Sequence, residues 1–439
     1  MLTDYQTEEP ETGGSNSSSQ VPWNLSVLTL DVAFFSFGMA MLDQNTVLPV
    51  MMHHLGASDL FIGGFAALRF LAFSLPQLPV AWAMHGRSRQ KPFLAVMAAI
   101  TRLPLFTLPL FLLRANTESG SRIALAAAAA LLIIWTMGDG LGYVPWMEIV
   151  ARAFTNKTRG RFFAATQLCA GVGSAIIALK VVHRILQSSL LPYPANYAVL
   201  TLISAAMFAV SLVGVLLIRE PKSLHTRVSD EILPPVEYCR RLPSLLRANK
   251  IFSKLAIVQL LIGIGGASAP FYVLYAAAHF HLNDSWSGTY QMAESLGVIL
   301  CIPLWTWLSE KFGGAVAARG LALACFLTPL LAIFLGGTSP VIFGLVFLLM
   351  GGSLNWGLWI VLNHYLLTIV SEKERSVYIA LLNLLALPYA LYPFLGGLLT
   401  RNEHLISIGG IPFLFLITAF GTGLGFIWSL SLPNKQMEH

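Results

Sequence analysis

RIALAAAAALLIIWTMGDGLGYVPWMEIVARAFTNKTRGRFFA, residues 122–164, carries the reading of the whole chain. Its first part, 122–149, is apolar and long enough to cross a hydrocarbon layer of about 30 Å, which takes about 20 residues at 1.5 Å each. One acid, Asp139, sits inside the run, flanked by Gly138, Gly140 and Gly142. A short basic loop ends the run, and a further apolar run follows. Working outward, the chain repeats this pattern to give twelve membrane spans: 25–52, 59–85, 92–113, 122–149, 161–186, 195–218, 252–278, 285–309, 316–337, 340–368, 377–399 and 405–432. Composition agrees. Of 439 residues, 56% are apolar, only 11% are charged, and the mean hydropathy is +0.70. A soluble domain carries about 25% charged residues, so a soluble enzyme, a nucleic-acid-binding protein and a disordered scaffold are all excluded.

The basic residues set the orientation. Of 27 Lys and Arg, twenty fall at one set of loops and span ends, and only Arg114, Arg122, Arg184 and Arg401 at the other. The excess marks the cytoplasmic side, with both termini there, and it explains the net charge of +6 without any nucleic acid. Residues 1–24, with four acids and no base, read as a disordered cytoplasmic tail. Residues 219–251 read as a cytoplasmic linker between halves 25–218 and 252–433, and 434–439 as a second tail. The first residues lack the basic stretch of a signal peptide. With Asn24-Leu25-Ser26 on the cytoplasmic side, the expected location is a bacterial inner membrane. The four cysteines (Cys169, Cys239, Cys301, Cys325) have neither disulfide nor metal spacing.

The two halves repeat each other. At an offset of 225, Gly63 falls on Gly288, Trp82 on Trp307, Pro104 on Pro329 and Asp59 on Asp284. At an offset of 216, TNKTRGRFFA (155–164) falls on SEKERSVYIA (371–380), Arg159 on Arg375 and Asp139 on Asn355. Six plus six helices around a central loop describe a two-half transporter with its site between the halves. The chain resembles the major facilitator superfamily over residues 25–433. That family's loop 2–3 signature survives in part as Gly86-Arg87-Ser88-Arg89-Gln90-Lys91, without its Asp. The second copy, Leu308-Ser309-Glu310-Lys311-Phe312-Gly313, is closer. Asp139-Gly140-Leu141-Gly142-Tyr143-Val144-Pro145-Trp146 faintly resembles the sugar–cation symporter branch. Span 5 lacks the Gly-Pro element usual in drug antiporters. The resemblance implies an all-α, twelve-helix fold with spans 1, 4, 7 and 10 lining a central cavity and spans 3, 6, 9 and 12 peripheral.

Ionisable groups inside a bilayer are costly, so each needs a reason. Burial disfavours a charged carboxyl, which suits a residue that must load and release a proton. Asp139 is the first proton-coupling candidate, followed by Glu294, Asp31 and Asp43. The competing reading for Asp139 is an ion pair with Arg102 joining spans 3 and 4. For Asp43 the competing reading is a pair with Arg69. Glu294, the repeat mate of Arg69, is protonated, paired with Arg69 or Lys180, or bound to solute. Arg102, on a peripheral span beside Pro104, reads as structural. Cavity candidates are Arg69, Tyr143, Trp146, Asn355, Trp356, Trp359, Asn363 and His364, where aromatics stack on a solute or simply pack. Glu148 with Arg159 and Arg161, and Glu374 with Arg375, are expected inner-gate pairs. His53-His54 and His279/His281 lack the partners of a metal site. No GxxxxGK[ST], HExxH or GxSxG element is present, so no cofactor, metal or hydrolysed nucleotide is expected. The leading expectation is a monomeric, proton-coupled symporter of a small organic solute. An exporter or flippase of amphiphiles, and a non-transporting receptor on the same fold, are the alternatives.

Overall fold

The computed structural model describes residues 17–84, 87–220, 249–355, 357–370, 375–400 and 410–434. Within these residues the chain is helical, with no strand. Twelve helices are long and apolar enough to cross a membrane: spans 1 to 6 are Gln20–Met41, Asp59–Met84, Lys91–Leu112, Glu118–Ala153, Arg161–Gln187 and Ala195–Leu217. Spans 7 to 12 are Lys250–His279, Trp286–Phe312, Gly314–Leu335, Pro340–Ile369, Leu381–Thr400 and Gly410–Ser429. The side bearing the ends of spans 2, 4, 6, 8 and 10 is called the basic side below.

Several spans start where the sequence supplies a cap. Ser58 Oγ accepts from Phe61 N, Thr117 Oγ1 from Gly120 N, and Ser339 Oγ from Ile342 N. Such caps satisfy N–H groups that a helix leaves open at its start. Prolines mark local changes of winding: Leu103–Thr107 around Pro104 and Leu387–Ala390 around Pro388 tighten into 3-10 turns. Two expectations need adjusting. The stretch 25–52 is two helices, since the chain stops at Met41 and restarts as Val47–His54. And the first helix begins at Ser17, so residues 17–24 are ordered structure rather than tail. Asn24 is buried there, donating to Arg219 O (2.8 Å) and accepting from Arg219 N (3.0 Å).

The repeat is visible in the packing. A Cβ on Gly63 of span 2 would collide with the carbonyl oxygen of Pro393 in span 11, and one on Gly288 of span 8 with that of Ala178 in span 5. At the 216-residue offset, Pro393 lies one position from Ala178. The matched glycines therefore make the same close crossing twice, once on each side of the pseudo-twofold axis. Both crossings join one half to the other, near the side opposite the basic loops. In span 4, Gly138 approaches the Thr101 side chain and Gly140 the Phe73 backbone, which draws spans 2, 3 and 4 together. At 36 residues the helix of span 4 is the longest among the described residues.

Candidate transport cavity

A cavity of about 850 Å³ lies between the halves, in the basic-side part of the bundle. Asp31, Phe35 and Ser36 of span 1, Arg102 of span 3, and Asp139, Tyr143 and Trp146 of span 4 form one wall. Phe163 and Gln167 of span 5 adjoin them, while Ile299 and Pro303 of span 8 and Trp359 of span 10 close the other half's side.

Its charged floor is a three-residue group. Arg102 is buried, with Nη1 3.7 Å from Asp31 Oδ1 and Nη2 4.0 Å from Asp139 Oδ1, and it lies over the Phe35 ring at 5.2 Å. Asp31 is fully engaged: Ser211 Oγ donates to Oδ1 at 2.5 Å and Trp146 Nε1 to Oδ2 at 2.9 Å. Arg102 Nη1 donates to Ser211 Oγ at 2.8 Å, which closes the ring of partners. Buried charges persist only when compensated in this way. Asp139 is different. Its only polar partner among the described residues is the distant Arg102 contact, and its side chain is 28% exposed.

A second polar layer lies beyond the cavity, toward the opposite side. Asp43 Oδ1 accepts from Asn45 N, Thr46 N and Thr46 Oγ1 at 2.7–2.9 Å, holding the turn before Val47–His54. Arg69 is not in an ion pair with it among the described residues; its Nε donates to Thr136 Oγ1 at 3.3 Å and its Nη1 is buried without a partner. Glu294 is buried, and its Oε1 accepts from Asn45 Nδ2 at 2.9 Å and from Asn355 Nδ2. Among the described residues its Oε2 has no hydrogen-bond partner, and no ion pair within 4.0 Å forms to Arg69 or Lys180.

Further out, the halves are latched together. His54 Nε2 lies 2.8 Å from Asp284 Oδ1, and Tyr197 Oη donates to Asp284 Oδ2 at 3.0 Å. Tyr193 Oη donates to the His54 carbonyl at 3.3 Å, and His183 Nδ1 lies 3.0 Å from Ser285 O. Side-chain hydrogen bonds from one half to the other are concentrated in this latch and in the Glu294 layer. On the basic side, Glu148 pairs with Arg152 of its own helix (2.8 Å), not with the expected Arg159 or Arg161; Arg152 also reaches Glu220 at 3.8 Å.

Of the residues singled out from sequence, Asp31, Asp139, Tyr143, Trp146 and Trp359 line the cavity. Arg69, Asp43, Glu294 and Asn355 form the deeper layer, while Asn363 donates to the Trp359 carbonyl and His364 is exposed, both off the cavity wall. Arg161 is exposed. Trp356, Glu374 and the Arg375 side chain lie outside the described residues. Arg102 is the cavity residue that sequence reasoning set aside as structural. An arginine inside an apolar run was the available signal.

A family model for the Major Facilitator Superfamily matches residues 28–387. No curated protein matches the chain in sequence. Among solved structures, it resembles a mutant of the nucleoside transporter NupG with a TM-score of 0.69 at 14% identity, covering 92% of this chain and 99% of that one. A D-xylose-proton symporter gives 0.68 at 15% identity, covering 94% and 98%. A bacterial homolog of the human lysosomal transporter Spinster gives 0.65 at 15%, covering 98% and 100%. With twelve apolar helices, a cavity between the halves and this family match, the chain belongs to the Major Facilitator Superfamily and is a multi-pass membrane transporter rather than an enzyme.

Proposed function

We propose that the protein moves a small organic solute by alternating access, coupled to protons, and that the structure is its inward-facing state. The observation that carries this is the polarity of closure: bonds between the halves cluster on the side opposite the basic loops, while the 850 Å³ cavity lies toward those loops. The loop charge bias supports a cytoplasmic basic side, with both termini there. Asp139 exchanges a proton with the cavity. Glu294, buried with one oxygen unpartnered and no ion pair among the described residues, holds a proton in this state. Asp31, with donors on both oxygens, and Asp43, whose Oδ1 holds the turn before Val47–His54, serve position rather than coupling. A second reading, export of amphiphiles, is favoured by the aromatic cavity wall.

The test is a thermal-shift screen of metabolites and drugs at pH 5.5 and 7.5, on wild type, Asp139→Asn and Glu294→Gln. A ligand at 100 times its Kd stabilises by about 2.7 kcal/mol. Affinity that depends on pH in wild type and not in Asp139→Asn is the expected result. Equal pH dependence in both would remove Asp139 as the proton carrier. Glu294→Gln is expected to fold with unchanged melting, since Gln keeps an acceptor for the two amides; a large loss would mean that Glu294 is ionised here.

A further inference from the structure

We propose that the cavity takes a lipophilic organic monocation, an amine or other onium centre on an aromatic or aliphatic body. This rests on the alternating-access reading for the state of the site and adds the class of solute.

Charge is the first argument. Three charged side chains line the cavity, two acids and one base. The base is committed, because Arg102 is held against Asp31 and Ser211. Asp31 in turn has donors on both oxygens. Asp139 is left facing the cavity with one contact at 4.0 Å and no hydrogen bond among the described residues. A carboxylate so placed lacks the charge-assisted partners that such groups take. A single positive charge completes it. An anion meets the Asp139 carboxylate and finds Arg102 already taken. The other core guanidinium, Arg69, does not line the cavity and is turned to Thr136.

The walls supply the second argument. Phe73, Tyr143, Phe163 and Trp359 line the cavity with aromatic rings, a residue type that attracts cations as well as apolar bodies. Of the four hydroxyls that line the cavity, two are spent on their own helices: Thr101 Oγ1 donates to Met97 O and Thr166 Oγ1 to Phe162 O. A sugar or nucleoside would lose its water without finding enough partners. A bare inorganic cation would leave most of about 850 Å³ unfilled, whereas that volume suits a drug-sized body. A proton and the cation compete for Asp139, so binding weakens as pH falls.

The experiment uses the full chain purified in detergent and two probes of one shape and opposite charge, tetraphenylphosphonium and tetraphenylborate. Equilibrium binding is measured at pH 7.5 and 5.5 on wild type and Asp139→Asn, with melting as a folding control. The expected result is saturable phosphonium binding that weakens at pH 5.5. It should fall about tenfold or more in Asp139→Asn, a change of ~1.4 kcal/mol, and the borate should not bind saturably. Phosphonium that fails to bind, binds Asp139→Asn equally well, or is matched by the borate overturns the proposal. Should Asp139→Asn misfold, the two probes on wild type still decide. Spin-label distances between the exposed positions 190 and 341, one in each half on the latch side, separate the two readings. Opening of that distance without phosphonium binding overturns the cation assignment alone; a distance fixed under every condition overturns alternating access.

Discussion

Replacing Asp284 by Asn should shift the protein toward the state open on the side opposite the basic loops. The substitution keeps size and removes charge from the centre of the latch. His54 and Asp284 are partly exposed, with side chains 38% and 20% accessible, so their pair is worth about 0.2–1 kcal/mol after solvent screening. The Tyr197 hydroxyl, buried on span 6, loses a charged acceptor and keeps a neutral one, which costs up to about 1 kcal/mol more. The sum reaches about 2 kcal/mol, which favours the other state by a factor of up to about 30. Met52 lies under the latch and is fully buried, so a cysteine placed there reacts only when that side opens. With opening fast relative to labelling, the rate of modification of Met52→Cys follows the open population and should rise by the same factor. His54→Ala should give a smaller rise, because the Tyr197 bond remains. A rate within twofold of wild type in Asp284→Asn would refute the latch as a determinant of the equilibrium.

Arg102→Ala should cost about 3–5 kcal/mol of stability, read as a fall in melting temperature, because it leaves Asp31 buried without its cation; adding Asp31→Asn should recover much of the loss. Gly63→Leu and Gly288→Leu should each destabilise by about 1–3 kcal/mol, through collision with backbone at the half-to-half crossings. Gly64→Ala, where a Cβ would sit 3.6 Å from Phe394, should melt like wild type.

The spans were legible because hydropathy over about 20 residues is a strong signal and several spans start at a capping residue. The repeat was legible at Gly63 and Gly288, where backbone contact admits no side chain on either copy. The site was legible only in part. Sequence gives the depth of a residue along a span but not the direction it faces. Asp31 and Asp139 were both candidates for proton coupling, yet nothing in their spacing told that Ser211 and Trp146 would saturate one and leave the other open. Arg102 was assigned to a peripheral span, but span 3 borders the cavity along one face, through Leu94, Ala98, Thr101 and Arg102. The break at Met41–Val47 was hidden because the residues on both sides are equally apolar, and the turn depends on Asp43 bonding its own backbone two and three residues on.

The length of span 4 links the protein to the thickness of its lipid. Its helix of 36 residues extends about 54 Å at 1.5 Å per residue, against a hydrocarbon layer of about 30 Å. Tilt absorbs only part of the excess, so the final turns, with Glu148 and Arg152, stand among the headgroups. Arg152 there holds the Ser88 carbonyl at 3.1 Å and approaches Glu220, binding loop 2–3 and the end of span 6 to span 4. A thicker bilayer draws this rod inward and a thinner one leaves it proud. Acyl-chain length thus acts on the end of span 4, next to the cavity residues Trp146 and Met147.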